Sequence, residues 1–461
     1  METISYENLK VEGFPYKKLL SVQISHRPNE HGTAVIEGEV DADQAQDLMQ
    51  RVDETLRVSL VTTAEGQPDK LFCGCVKDIG LRQENAYSIV TLSLYTTSRL
   101  LDVTRKKKTY QQVTQTYGQI ITDSISDHGD LHMIVTDKTI DQLIMKYNET
   151  DWEFTMRMAS QLNAPLVADI AAPRPQLYVG LSPSRRTVEI ESSSFSYGGN
   201  VDKLAQLSDS MAQDFAGEQV QSYQYAFIGD TVSMNGKSAR IKGVRAVLAD
   251  GILNMSYELM QANGSVAGIA APKTTSKASG KMMKGTVKDV MRDKVQVHIT
   301  DIDNEYDSGG DWWFPFSTAY SSSDGSGWYC MPEKGDEVRV FFPSGQEGEA
   351  FAASSVFSQP PQNPRHKCWK APGGKEILLT DEGMYIIGKS GKIYINLTDE
   401  KGVEIYSDKE ISIMSDTKVS ISAASEVDIV ASNEIIIGTE EAYIDLNKSS
   451  AILAASEVLI N

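Results

Sequence analysis

At 461 residues the chain is longer than one compact core allows, since single domains rarely exceed about 250 residues, so several modules are expected. A hydrophobic fraction of 41% with 23% charged residues excludes wholesale disorder. A formal net charge of −19 opposes the phosphate backbone and argues against nucleic acid as a partner.

The dense basic run Arg105 to Lys108 reads as a solvated turn, with contact to another protein as the alternative. Four cysteines, Cys73, Cys75, Cys330 and Cys368, are too few and too scattered for a disulfide framework. The first residues, METISYENLKVEGF, show neither a basic leader nor an apolar core, and no window approaches the ~18 apolar residues of a membrane span. Cytoplasmic synthesis without a secretion signal is expected.

Residues 1 to about 100 place apolar side chains on every second position between turn residues, as in KLLSVQISHRP, GTAVIEGEV and YSIVTLSLYTT, which predicts an antiparallel barrel or sandwich. A short helical insert from Asp41 to Arg51 puts Ala45, Leu48, Met49 and Val52 at helical spacing. From Thr109 the period changes: Val113, Tyr117, Ile120, Ile121 and Ile125 share one helical stripe. A second helix is expected from Asp151 as N-cap, with Phe154, Met158, Ala159 and Leu162 on one face. Together these predict a domain over 1–260 with a helical insert at about 109–163.

Residues 261–283 are rich in Gly, Ala, Ser, Thr and Lys and lack a period, which reads as a linker. Short alternating segments over 284–358, among them GTVKDVM, KVQVHIT and DEVRVFF, suit a five-stranded OB-fold barrel. A proline-rich neck follows over 359–374, and residues 375–461 repeat by eights.

Leu379, Ile387, Ile395, Val403, Ile411, Val419, Val427, Ile435, Tyr443, Ala451 and Leu459 form one column of eleven apolar or aromatic positions. Two residues further on, Ile405, Ile413, Ile421, Ile429, Ile437 and Leu453 form a second, and a spacing of two puts both side chains on one face of a strand. Each octad is therefore one strand and one polar corner. A single chain of octads cannot bury this face, so three intertwined chains, each giving one side per layer, are expected to close the core as a triangular prism. The alternative is a sandwich of eight-residue hairpins. With strands about 4.8 Å apart, the prism is on the order of 50 Å long. Near its end Asp445 takes an inward position while Ile444, Leu446 and Ile452 fit a frame shifted by one residue.

The tail and the barrel before it resemble the spike of the VgrG family, which is similar to the membrane-puncturing spike of contractile phage tails. In GWYCMPEKGDEVRVFFPSGQEGEAFAASSVF the family's OB-fold motif is met by Pro332, Gly335, Asp336, Glu337, Val338 and Gly345, and GGKEILLTDEG resembles the start of its β-prism. IMKYNETDWEFTMRMASQLNAPLVAD resembles the tail-hub signature, with Tyr147, Glu149, Asp151, Trp152, Phe154 and Arg157 in its places. The resemblance implies a mainly β chain whose N-terminal hub of two β-barrel subdomains with inserted helices precedes the OB barrel and the needle. It also implies a homotrimer that meets the tail tube and baseplate proteins, points its needle at the target membrane, and acts mechanically on sheath contraction. No lysozyme-like insert, no effector domain after Asn461 and no His-x-His pair near the end is expected, and a PAAR-type tip protein is a candidate cap.

The residues offer little enzyme chemistry. Cys73 and Cys75 read as buried structural thiols, His128 and His132 as loop residues, and His366 with Cys368 as an incomplete ligand set, so neither metal nor cofactor is expected. No nucleophile elbow, P-loop or dinucleotide fingerprint is present. The aromatic stretch Asp311 to Phe316 reads as packing, with a carbohydrate-contact surface as the alternative. The rival to a non-enzymatic spike is a cell-wall hydrolase or receptor-binding adhesin carried on a β-prism stalk.

Overall fold

The computed structural model describes residues 3–43, 45–46, 50, 53, 55–64, 66, 68–84, 87–189, 195–198, 217–234, 237–303, 311–357 and 359–458. The chain divides into two compact units, Met1–Val356 and Phe357–Asn461.

The first unit opens with β1 (Leu9–Glu12), β2 (Lys18–His26), β3 (Thr33–Val40), β4 (Arg57–Thr62), β5 (Asp69–Glu84) and β6 (Tyr87–Thr96). Alternation sets the buried face: Ala34 and Ile36 of β3 pair with Leu94 and Leu92 of β6, and all four are buried. An insert follows, made of β7 (Lys106–Tyr110), α1 (Tyr117–Ile125), β8 (Asp130–Met133), β9 (Ile144–Glu149), α2 (Asp151–Gln161), β10 (Leu166–Ala168) and β11 (Gln176–Val179). The chain then rejoins the first sheet through β12 (Thr187–Glu189), β13 (Phe195–Gly198), β14 (Gly217–Ser222), β15 (Thr231–Met234), β16 (Lys237–Ala249) and β17 (Ile252–Gln261). The sheet runs β1-β4-β5-β6-β3-β2-β16-β17-β14-β13, with β15 on β16 and β12 on β15. Its closure across the insert rests on β2 and β16, where Ile24 faces Ala246 and both enter the core. Cys73 and Cys75 are buried free thiols on β5. Of the short helical insert, Ala45 lies in this core, whereas Leu48, Met49 and Val52 lie outside the described residues.

Both longer helices start on a capping box. Thr116 accepts from the backbone N–H of Gln119, so α1 begins at Tyr117 and leaves Val113 40% exposed before it, off the expected stripe. The cap of α2 is Thr150 rather than Asp151: Thr150 Oγ1 accepts from Glu153 N at 3.1 Å and Glu153 Oε2 accepts from Thr150 N at 3.1 Å. Asp151 takes the first helical position, where a carboxylate suits the helix dipole.

The barrel consists of β18 (Lys281–Met291), β19 (Lys294–His298), β20 (Trp313–Pro315), β21 (Glu337–Phe342) and β22 (Phe351–Ser355), in the order β20-β19-β18-β21-β22. Its core holds Val287, Val295, Val297, Phe314, Val338, Val340 and Phe342. Trp312 and Phe316 pack against it, so the aromatic stretch takes the packing role. The expected linker is not a free spacer: Ala278 is fully buried in the barrel core and β18 begins at Lys281, inside the stretch assigned to it. A small side chain can be buried without leaving a periodic signal.

In the second unit, β23 (Lys367–Lys370), β24 (Glu376–Leu379), β25 (Gly383–Ile387), β26 (Ile393–Thr398) and β27 (Gly402–Ser407) form an antiparallel meander. The first of these strands lies inside the expected neck. A second meander joins β28 (Glu434–Gly438), β29 (Tyr443–Asn447) and β30 (Ala451–Ala454). Between them, residues 408–433 have no strand partner and bend at Asp408–Lys409, Asp416–Thr417, Ala424–Ser425 and Ser432–Asn433, a bend every eighth residue. Leu459 lies outside the described residues.

His26 makes the first sheet sensitive to acid. Its ring is buried, with Nε2 2.9 Å from the carbonyl oxygen of Ala168 and Nδ1 unpartnered, and burial lowers its pKa to about 4. The unfolded chain therefore takes up a proton near pH 6.5 that the folded chain refuses, so this stability is intact above that pH and is lost as pH falls toward 4. The loss amounts to about 3 kcal/mol, from roughly 2.5 pKa units at 1.36 kcal/mol each. Urea unfolding across this range is expected to show the excess slope in the wild type and its absence in His26→Gln.

Candidate functional site

The hub-motif residues converge on a buried charge cluster between the insert and the barrel. Arg157, on α2, donates from Nε to Glu149 Oε1 at 2.9 Å and from Nη2 to Glu149 Oε2 at 2.8 Å, a two-pronged pairing with the end of β9. Its Nη1 reaches Glu347 Oε1 of the barrel at 2.9 Å, and Nη2 also donates to the carbonyl of Met145 at 2.7 Å. All three ionic side chains are at most 5% exposed. Burial opposes the charge on Arg157, but Glu347 and Glu149 together outweigh it and hold the guanidinium above its ordinary pKa. Burial also pushes Glu347 up, with Arg157 and the backbone N–H of Met145 opposing it.

A second ionic group sits behind α2. Asp151 pairs with the buried Lys146 and, at 2.7 Å, with Lys106, while Ser124 Oγ lies 2.9 Å from Lys146 Nζ. Burial lowers the Lys146 pKa and Asp151 counters it. Phe154 is fully buried and stacks on Tyr110 with centroids 5.7 Å apart. Trp152 packs on the His31 ring at 4.1 Å, and Tyr147 leans on the barrel core beneath Lys107, whose Nζ is 5.1 Å from its ring centre.

The basic run is not a turn. Lys106 to Lys108 lie in β7, and Arg105, Lys106 and Lys108 meet Glu153, Asp151 and Asp123 at 2.8, 2.7 and 2.6 Å. Strand geometry brings up acids that are distant in sequence. Glu347 and Lys146 are not among the motif positions read from the sequence; the one local sign was a lysine set within the apolar alternation of LIMKY.

The barrel motif builds structure. Pro332 and Val338 are buried, and the Glu333–Asp336 turn docks on β18, Gly335 N donating to Val287 O at 2.8 Å with Gly335 at φ +94°. Glu337 opens β21. Gly345 lies so close to Thr275 that a Cβ there would come within 2.3 Å of its hydroxyl, which explains the glycine.

The needle columns are only partly gathered by one chain. Register puts Leu379, Ile395, Val403 and Ile405 on one face with Met384, Ile386 and Leu397. Of these, Ile386, Ile395 and Ile405 line a hollow of about 1160 Å³ together with Trp369 and Ile377. Ile387 departs from its column, because it pairs with Tyr394 and so points to the opposite face. Ile435 and Ile437 share a face with Leu446 and Ile444, whereas Asp445 sits on the other with Ile452. The frame shift is therefore real for Ile444 and Leu446, moves Asp445 off the apolar face, and does not include Ile452. Val403, Ile405, Ile411, Ile413, Val419, Ile421, Val427 and Ile429 are each at least 49% exposed.

Among the described residues no His, Cys, Asp or Glu cluster is placed to hold a metal, and no helix is long and apolar enough to cross a membrane.

Residues 283–357 match the family described as the type VI secretion system/phage-baseplate injector OB domain. Among solved structures, the chain is similar to the Escherichia coli c3393 protein, a type VI secretion component likened to the T4 bacteriophage tail proteins gp27 and gp5. The two share 13% identity at a TM-score of 0.57, over 76% of this chain and 99% of that one. The Francisella PdpA–VgrG complex matches at 6% identity and a TM-score of 0.50, over 85% of this chain and 76% of that one. At such identities the likeness speaks for the fold. A comparison with curated proteins returned no match. The chain is mainly β, shares its fold with these type VI secretion proteins, and carries an injector OB domain at 283–357.

Glu149→Ala strips Arg157 of its two-pronged partner and is expected to cost about 3–5 kcal/mol in urea unfolding. Glu347→Ala leaves that pairing intact and costs less, about 1–3 kcal/mol.

Proposed function

We propose that this chain is the hub and puncturing spike at the tip of the tube of a contractile injection machine, working as a homotrimer driven through the target envelope on sheath contraction. The injector OB domain and the hub fold support the setting. The observation that carries the reading is the run of eight column side chains, Val403 to Ile429, that one chain leaves in water. Full burial of one such side chain contributes roughly 1.5–3 kcal/mol, so covering these half-exposed positions favours association by on the order of 10 kcal/mol per chain.

Three copies, each giving one octad per layer, supply that cover. The bends at every eighth residue then fall at the corners of the prism, where Asp408, Lys409, Asp416 and Thr417 face water. In this reading the hub meets tube and baseplate proteins of the same machine, a PAAR-type protein caps the needle, and the target membrane is met on firing. The work is mechanical, with no substrate turned over.

Light scattering on the purified chain is expected to give a trimer of 50.7 kDa chains that survives SDS without heating. Ile421→Asp, which gathers three carboxylates about the axis, is expected to abolish it. A wild-type monomer at micromolar concentration, or peptidoglycan hydrolysis by the purified chain, overturns the proposal.

A further inference from the structure

We propose that the β7–β9 ribbon is a wall shared by two hydrophobic cores, so that the helical insert and the OB barrel open as one cooperative unit with no hinge between them. The two strands pair antiparallel, Tyr110 opposite Ile144 and Lys108 opposite Lys146, and their side chains alternate between two bodies. Tyr110 and Ile144 enter the core formed with α1 and α2. On the other face, Leu143, just before β9, and Met145 are fully buried in the barrel core, and Tyr147 packs on it.

Polar groups follow the same division. The backbone N–H of Thr109 donates to Asp303 Oδ1 at 2.8 Å, and the Thr109 hydroxyl donates to Asp303 Oδ2. Gln111 donates from Nε2 to the carbonyl of Val297 at 3.2 Å and accepts from Trp312 N at 3.2 Å. Among the described residues, both donors to the Asp303 carboxylate thus come from the insert. Arg157 adds the ionic tie to Glu347. A barrel that swung away from the ribbon would lose two core side chains, the donors to Asp303 and the cation beside Glu347 together. A hinge needs an interface that parts without opening a core, and this one is itself core. The inference rests on the first unit alone and stands whether or not the chain pierces membranes.

Thiol labelling in rising urea tests it on the full-length chain. Ala159→Cys places a buried thiol on α2 and Ala352→Cys one in the barrel, while the exposed Cys330 reports the unprotected rate. The two buried thiols are expected to become reactive along one urea curve. Met145→Ala is expected to raise both opening constants by a common factor on the order of 30-fold or more. Separate curves for the two thiols, or a Met145→Ala effect confined to the barrel, overturn the proposal; if Met145→Ala does not fold, the two curves without it decide.

Discussion

One packing constraint governs the second unit: the octad columns are apolar and a single chain leaves eight of their side chains, Val403 to Ile429, at least 49% exposed. Two meanders form where neighbouring octads fold back on each other, yet between them residues 408–433 find no strand partner in their own chain. The short β-strand is the only regular element an octad can make, and it carries one narrow apolar strip. A strip of that kind is stable only when other strips close over it. In the proposed trimer, mechanical stiffness follows from the same requirement, because chains that share a core along their whole length cannot part locally.

The first unit meets the corresponding need by a different route. Its insert and barrel share the β7–β9 ribbon, and three of its buried charged residues, Arg157, Glu347 and Asp303, tie one body to the other. Buried ion pairs add little net stability compared with apolar packing, but breaking one is costly. Arg157 between Glu149 and Glu347 therefore specifies one arrangement of barrel on hub rather than supplying the bulk of the folding energy. That suits the proposed spike, which must transmit thrust without flexing.

Much of this was legible in the sequence because it is local. Alternation marked the strands of the first sheet and of the barrel, and the spacing of eight marked the corners, with bends recurring at that interval from Asp408 to Asn433 where the chain forms no strand of its own. Of the six positions assigned to the hub motif, five are buried or paired around α2. What the sequence hid is non-local. Glu347 lies 190 residues from Arg157, and nothing in GQEGEA distinguishes a clamp residue from a surface acid. The basic run looked solvated because the acids that meet it come from two helices. Ile387 misled for another reason: the turn before β26 sets Ile386, not Ile387, beside Ile395, and an eightfold count cannot see turn geometry. Thr150 and Asp151 are adjacent and both favourable caps, and the pattern Thr150-x-x-Glu153 was the sign that separated them.

Amide hydrogen exchange over residues 411–429 in the intact chain tests the central claim most directly. If three chains braid, these backbone groups are laddered to neighbouring copies, and their exchange is expected to slow by several orders of magnitude relative to an unstructured peptide. Exchange at the unstructured rate, in a chain whose hub strands remain protected, would contradict it.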